Sequence, residues 1–399
     1  MDSIQYLLSI ETRGIKLGIQ RTRKIMAVCG NPHHRMPSIQ VAGTNGKGSV
    51  CAMLSNIFKT AGYKTGLFTS PHLVNINERI RINGIPISNK EIDIFIQKYK
   101  ADIEKIGATF FETITAMAFW FFKKEGVDIA VLETGLGGRL DSVSICEPVA
   151  TIITPISLDH LEILGDTLSQ IAFEKAGVLK RGIACISAQQ EDSVTEVLVE
   201  EAKKKNAPIQ FINGDSSSEF ELNIQGKSQQ ENARLTVSAL SLLDNFNISD
   251  KAIIDGLKSV KWYGRNQVIK KNPYIIFDVA HNVAGIKSFL DYYTSLNIMG
   301  DSVLVISLQE RKQIQSVIPL FQAIFKYIAC TESLGRNPMP ANILGDLFSE
   351  DKIKIIRNPE EAILWGLGKL TPHGGMAIIG SHYLGPSVSS VFKISFDRY

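Results

Sequence analysis

The chain reads as an α/β protein: a P-loop-containing N-terminal ATPase domain with a mostly parallel sheet, plus a smaller Rossmann-like C-terminal α/β domain. Three observations predict this. A short apolar run, residues 39–42, meets the segment Gly43-Thr44-Asn45-Gly46-Lys47-Gly48-Ser49. Val50, Met53, Leu54, Ile57 and Phe58 then recur at helical spacing, giving strand, glycine loop and helix. Strand-length apolar runs at 63–69, 127–134, 149–155, 182–187 and 208–212 alternate with helix-length segments, the pattern of a parallel sheet. The alternation restarts after Trp262-Tyr263-Gly264-Arg265, with strands expected at 273–277, 303–307, 327–331, 353–356 and 376–380, which sets the domains at 1–263 and 267–399.

In order, residues 2–10 predict a short amphipathic helix broken by Gly14 and Gly18, and 19–29 a second helix stopped by Gly30-Asn31-Pro32. Polar and apolar residues alternate in Asn77-Glu78-Arg79-Ile80-Arg81-Ile82-Asn83-Gly84, which predicts a hairpin. Helices follow over 91–103 and 110–124, the second nearly all apolar with Glu112 and Thr113 as its polar exceptions. Further helices are expected at 166–179, 191–205, 230–245 and 250–259, with the polar tract 213–219 as a surface loop.

With 399 residues and 44% hydrophobic content, the chain can bury two cores. Its 43 basic and 40 acidic residues leave a net charge of +3, and no basic run or arginine stripe is present to track a nucleic acid, so none is expected as a partner. Five cysteines, at 29, 51, 146, 185 and 330, are scattered and never spaced Cys-x-x-Cys, which fits reduced thiols in the cytoplasm. Charged residues interrupt the first 17 positions, and the longest apolar run, 116–122, is too short for a bilayer. Neither a signal peptide nor a membrane is expected.

The glycines let backbone N–H groups turn toward one point, and the helix N-terminus adds partial positive charge, so the loop favours a polyphosphate such as ATP. Lys47 would lie along the β- and γ-phosphates, and Ser49 offers a hydroxyl where such loops hold Mg²⁺. Gly48, between Lys47 and Ser49, makes this a variant of the usual Gly-Lys-Ser/Thr ending. The 127–134 strand delivers Glu133 to the loop Gly135-Leu136-Gly137-Gly138-Arg139-Leu140-Asp141, a usual place for a Mg²⁺-holding carboxylate. His160 follows the next strand at the same sheet edge, where a structural and a metal-binding role are both open. Glu174-Lys175, taken alone, reads as a solvent-facing helical pair.

Several segments recur in a fixed order: Val41-Ala42 with the glycine loop, Thr69-Ser70-Pro71-His72-Leu73, Leu132-Glu133-Thr134 with the loop after it, and Leu158-Asp159-His160. Glu174-Lys175-Ala176-Gly177, Gly264-Arg265, Asp278-Val279-Ala280-His281-Asn282 and Gly380-Ser381 complete the set. Together they resemble the folylpolyglutamate synthase and dihydrofolate synthase family of the Mur ligase superfamily, over most of the chain.

The resemblance implies a monomeric, cytoplasmic, ATP-dependent amide ligase that joins L-glutamate to dihydropteroate, to reduced folates, or to both, through an acyl phosphate. It implies that Lys47, Glu133, His160 and Lys175 carry the chemistry. Two Mg²⁺ would be held by Ser49, Ser70, Glu133, His160 and a carbamylated Lys175. ATP would meet Thr44, Asn45, Gly46, Lys47, Gly48, Ser49, Asn232, Arg265, Asp278 and His281. The pterin would meet Leu17, Gly18, Ile19, Thr109, Phe110, Phe111, Glu112, Leu140, Asp141 and Ser142.

Three departures stand out. Ser142-Val143-Ser144 replaces the family's Ala-Thr-Asn, Arg311-Lys312-Gln313 replaces Asp-Lys-Asp, and Val283 replaces a proline after His281-Asn282. The 311–313 departure leaves a competing reading, a nucleotide-binding scaffold that has lost catalysis. A Mur-type peptidoglycan ligase is the other alternative, but it is expected to carry an extra domain ahead of its P-loop, which here starts at residue 43.

Overall fold

The computed structural model describes residues 2–14, 16–212, 219–310, 312–335, 337–349 and 353–397. Residues 213–218 of the expected surface loop, and Arg311 of the 311–313 departure, lie outside the described residues. The chain separates into two compact units, Met1–Asn223 with Gln230–Val260 and Asp397–Tyr399, and Ile224–Gln229 with Lys261–Phe396.

Among the described residues, the first unit is built on eight strands: β1 (Ser38–Ala42), β2 (Thr65–Phe68), β3 (Ile80–Ile82), β4 (Ile85–Pro86), β5 (Ile129–Glu133), β6 (Ala150–Ile153), β7 (Cys185–Ser187) and β8 (Ile209–Phe211). Their order is β4-β3-β2-β5-β1-β6-β7-β8, parallel from β2 to β8, with β3 and β4 antiparallel at one edge. Every residue of β1 and β5 is buried, as strands covered on both faces by helices must be. The carboxyl ends of β2, β5, β1 and β6 therefore open along one edge. The segments bearing Ser70, Glu133, Gly43 and His160 leave from adjacent strands.

The hairpin expected over 77–84 is shorter than its alternation suggests. Ile76–Arg79 is a 3₁₀ turn, because the Glu78 carboxylate accepts from the N–H groups of Leu73 (2.9 Å), Val74 (2.9 Å) and Asn75 (2.7 Å) and so closes the loop on itself. Arg81 is fully buried and donates to the carbonyls of Glu78 (3.0 Å), Gly84 (3.2 Å) and Asp397 (2.7 Å). The helix expected at 166–179 is Leu168–Lys175, tightening into a 3₁₀ turn at Ala176–Val178.

The second unit holds β9 (Gln267–Lys271), β10 (Tyr274–Asp278), β11 (Ser302–Ile306), β12 (Tyr327–Cys330), β13 (Ile353–Ile355) and β14 (Gly375–Ile379) in the order β13-β12-β11-β14-β10-β9. Five strands are parallel. β9 pairs antiparallel at the edge, and its exposed lysines gave no apolar run to predict it from. All five cysteines are free thiols, four of them buried. Among the described residues, no helix is long and apolar enough to cross a membrane.

Candidate active site

The glycine loop is pressed onto the end of β6. Gly43 has φ +139°, and a Cβ there would lie 1.9 Å from Thr154 Oγ1. The N–H groups of Thr44 (3.0 Å) and Asn45 (3.3 Å) both donate to the Pro155 carbonyl. Thr44 Oγ1 donates to the Ser157 carbonyl and accepts from the Ser157 N–H, each at 3.1 Å, while Asn45 Nδ2 donates to Ser157 Oγ at 3.1 Å. These two residues therefore fix the loop, their N–H groups being spent on the Pro155 carbonyl. The helix Lys47–Thr60 has no side-chain cap, so its first-turn N–H groups are the ones available to an anion. Gly46, at φ +89°, faces Asn232: a Cβ would come within 2.4 Å of its Oδ1.

Two amines meet on one carbonyl. Lys47 Nζ donates to Gly43 O (3.2 Å) and Thr44 O (3.1 Å), and Lys175 Nζ donates to the same Gly43 O at 2.6 Å. Lys175 is buried, which corrects its reading as a solvent-facing residue. Burial, and secondarily the Lys47 charge, push its pKa down to about 7. Its neighbour Glu174 is half-buried and pairs with Arg139 at 2.7 Å, while Arg139 N–H donates to the Glu174 carbonyl at 2.8 Å. The 135–141 loop and the end of the Leu168–Lys175 helix are thereby joined.

Glu133 ends β5, buried, with its Oε2 accepting from Ser70 N–H at 2.9 Å. Ser49 Oγ is buried without a hydrogen-bond partner, an orphaned hard oxygen of the kind Mg²⁺ takes. His160 is half-buried in a left-handed conformation (φ +53°), and its N–H donates to Asp159 Oδ1 at 2.9 Å. Among the described residues, no three His, Cys, Asp or Glu side chains form a metal-binding group. The Ser49 hydroxyl and the Glu133 carboxylate are oxygen donors of the kind a hard cation such as Mg²⁺ takes.

A second cluster gathers around Asp141. Its Oδ2 accepts from Leu136 N–H (2.8 Å) and its Oδ1 from Val143 N–H (2.9 Å). Burial nevertheless raises its pKa to about 6. Thr22 Oγ1 donates to Ser142 Oγ at 3.0 Å, and Gly18 N–H reaches Leu140 O at 3.4 Å. Thr109 caps the helix Phe110–Glu125, and its N–H donates to Glu112 Oε2 at 2.7 Å. Arg21 lies 2.9 Å from Glu112 Oε1 and donates through Nη2 to Lys16 O at 2.9 Å. Phe110 is buried under the Arg79 guanidinium, 5.2 Å from its ring centroid, whereas Phe111 is half-buried and 5.8 Å from Phe68. Leu17 is exposed, and Ile19 immediately precedes the helix Gln20–Val28.

In the second unit, Asp278 ends β10, buried, and accepts from Asn266 N–H and Ala280 N–H, each at 2.7 Å. Burial raises its pKa, opposed by the charges of Arg265 and His281, so these three residues share one neighbourhood. Arg265 Nη1 donates to Gly264 O at 3.0 Å, and His281 Nδ1 lies 2.9 Å from Val279 O.

Comparison with known proteins decides what this arrangement is related to. The Mur ligase middle domain matches residues 41–250. The dihydrofolate synthase/folylpolyglutamate synthase of Bacillus subtilis is 34% identical over 343 residues, 78% of this chain and 80% of that protein. The chain belongs to the dihydrofolate synthase/folylpolyglutamate synthase family of Mur ligases. Escherichia coli FolC in complex with DHPP and ADP superposes with a TM-score of 0.90 at 26% identity, covering 98% of each chain. A bifunctional folylpolyglutamate synthase/dihydrofolate synthase with Mn, AMPPNP and L-glutamate bound gives a TM-score of 0.87 at 25% identity, covering 99% of this chain and 98% of that one.

Within this family fold, Lys47 and Lys175 meet at Gly43, Ser70 meets Glu133, Asn232 meets Gly46, and Gly18, Leu140 and Ser142 share one cluster with Thr22. Glu133 and His160 both leave the same sheet edge. Reading the sequence missed Ser157, Arg21, Thr22 and Gln40. Each acts through a partner about 90 to 120 residues away, and neither spacing nor periodicity signals that.

Proposed function

We propose that this chain is an ATP-dependent ligase that adds L-glutamate to dihydropteroate, to the γ-carboxylate of a reduced folate, or to both, through an acyl phosphate. The observation that carries the reading is the loop edge: an uncapped helix start, two amines on the Gly43 carbonyl, and the unpartnered Ser49 hydroxyl. Relatives named for both steps, and neighbours crystallised with ADP and DHPP or with L-glutamate, support the substrate classes.

In this reading, Lys47 leaves its own loop carbonyls for the β- and γ-phosphates. An oxygen of the acceptor carboxylate attacks the γ-phosphorus as the bond to ADP breaks. The uncharged glutamate amine then attacks the acyl carbon, the C–O bond to phosphate breaks, and the amine gives up a proton. Ser49, Ser70, Glu133 and His160 would hold Mg²⁺, two ions with the help of a carbamylated Lys175, and the metal would supply positive charge to offset that on the transferred phosphoryl group. Thr44, Asn45, Gly46, Gly48, Asn232, Arg265, Asp278 and His281 serve the nucleotide. Leu17, Gly18, Ile19, Thr109, Phe110, Phe111, Glu112, Leu140, Asp141 and Ser142 serve the pterin, with Phe111 rather than Phe110 offering a ring face. The first unit takes ATP and pterin and the second takes glutamate, in a cytoplasmic monomer.

ADP release with ATP, Mg²⁺ and L-glutamate, comparing dihydropteroate with tetrahydrofolate, tests the proposal. Turnover with both makes the protein bifunctional, and turnover with one assigns it that step. Silence with both returns it to a nucleotide-binding scaffold. Arg21 bridges the 16–19 segment and Glu112, so Arg21→Ala is expected to raise the acceptor KM about tenfold, the size of one charged hydrogen bond, with the ATP KM unchanged. Steady-state kinetics with each substrate varied in turn checks it.

A further inference from the structure

We infer that Gln40 is a positioning residue of this reaction, a pin that fixes the acceptor-side loop 135–141 against the central strand β1. The inference rests on the ligase reading above. Gln40 is fully buried in the middle of β1, between Ile39 and Val41, where an aliphatic side chain would pack without needing any hydrogen bond. Its amide is instead engaged on both sides. Nε2 donates to Ser144 Oγ (2.7 Å) and more weakly to Thr134 Oγ1 (3.4 Å), and Oε1 accepts from Cys146 Sγ (3.6 Å).

These partners bracket one loop. Thr134 opens it, next to Glu133, and Ser144 lies three residues beyond Asp141. Ser144 Oγ passes the connection inward by donating to Gly138 O at 2.5 Å, and Lys180 Nζ donates to Ser144 O at 2.5 Å. The loop held in this way carries the Asp141 carboxyl with its two N–H bonds, and Arg139 N–H on the Glu174 carbonyl beside Lys175. Ser142-Val143-Ser144, the departure from the family's Ala-Thr-Asn, is thus built into a hydrogen-bonded unit, with Thr22 on Ser142 and Gln40 on Ser144. The glycine loop has its own anchors at Pro155 and Ser157 and meets this unit through Lys175 on the Gly43 carbonyl. Loosening Gln40 is therefore expected to act on the acceptor far more than on ATP.

The test uses Gln40→Met, which keeps the length and removes the amide, Ser144→Ala, which deletes one hydroxyl, and the double variant. Each single variant is expected to raise the acceptor KM about tenfold and leave the ATP KM within about twofold, as befits one buried hydrogen bond in a positioning network. The double variant is expected to be no worse than the worse single one, because the two residues act as a unit. An unchanged acceptor KM, an equal rise in both KM values, or additive effects overturns the inference. Should Gln40→Met fail to fold, as judged by circular dichroism and ADP calorimetry, Ser144→Ala alone decides. A wild-type protein without turnover on either acceptor fails the ligase reading and this inference with it, whereas an active wild type with indifferent variants fails the pin alone.

Discussion

Glu133→Ala is expected to cut ligation by about 10³-fold or more, and Lys47→Ala by about 10²–10³-fold, with both proteins still folded. Glu133 is the carboxylate that β5 delivers to the edge where the Ser49 hydroxyl waits without a partner and where Ser70 is already bound to it. Removing it takes away the negative charge that would hold Mg²⁺. It also strands the Ser70 N–H, a local cost of about 1–3 kcal/mol that the buried Ile129–Glu133 strand can absorb. Glu133→Gln separates the two effects, because its carbonyl oxygen still accepts from Ser70 while the charge is gone. Loss of ADP release in Glu133→Gln at an unchanged Tm assigns the effect to charge. A near-normal rate in either Glu133 variant or in Lys47→Ala would sink the ligase reading.

Glu133 and the glycine loop were legible because their signal is local. An apolar run ending in an acid, or in glycines and a lysine, says where a buried strand stops and what it presents. Lys175 was not legible in that way. Glu174-Lys175 carries the sequence pattern of a solvated helical pair, and only the approach of the 135–141 loop and of Gly43 shows Glu174 bound to Arg139 and Lys175 buried against Gly43. The 77–84 alternation misled for a related reason. Period two is also satisfied by a turn whose Glu78 folds back onto three N–H groups, and hydrogen bonding outweighs alternation there. Gln40 and Arg21 were invisible because their partners are set by which strands and helices lie side by side.

Lys175 supplies the other large effect, and its sign is fixed by burial. Its pKa falls from 10.5 to about 7, so the folded protein gives up this proton near neutrality while the unfolded chain keeps it to much higher pH. The unfolded state thus binds more protons between about pH 7 and 10. The penalty for a buried ammonium is fully present below pH 7, and stability contributed by this site rises with pH above it. Lys175→Met removes the titration, so its Tm is expected to gain on the wild type at pH 6 and to change less between pH 7 and 9. The same uncharged amine is the form that could add CO₂: its nitrogen would bond to the carbon, a proton would leave, and the cation beside Lys47 would become an anion. If that carbamate works in catalysis, protein held below pH 6 and returned to pH 8 recovers activity faster with bicarbonate, and intact-mass measurement gains one CO₂. Lys175→Met loses about 10²–10³-fold and ignores bicarbonate. Full activity without added mass, or a Lys175→Met enzyme near the wild-type rate, removes the carbamate from the mechanism while leaving the stability prediction to stand on the amine alone.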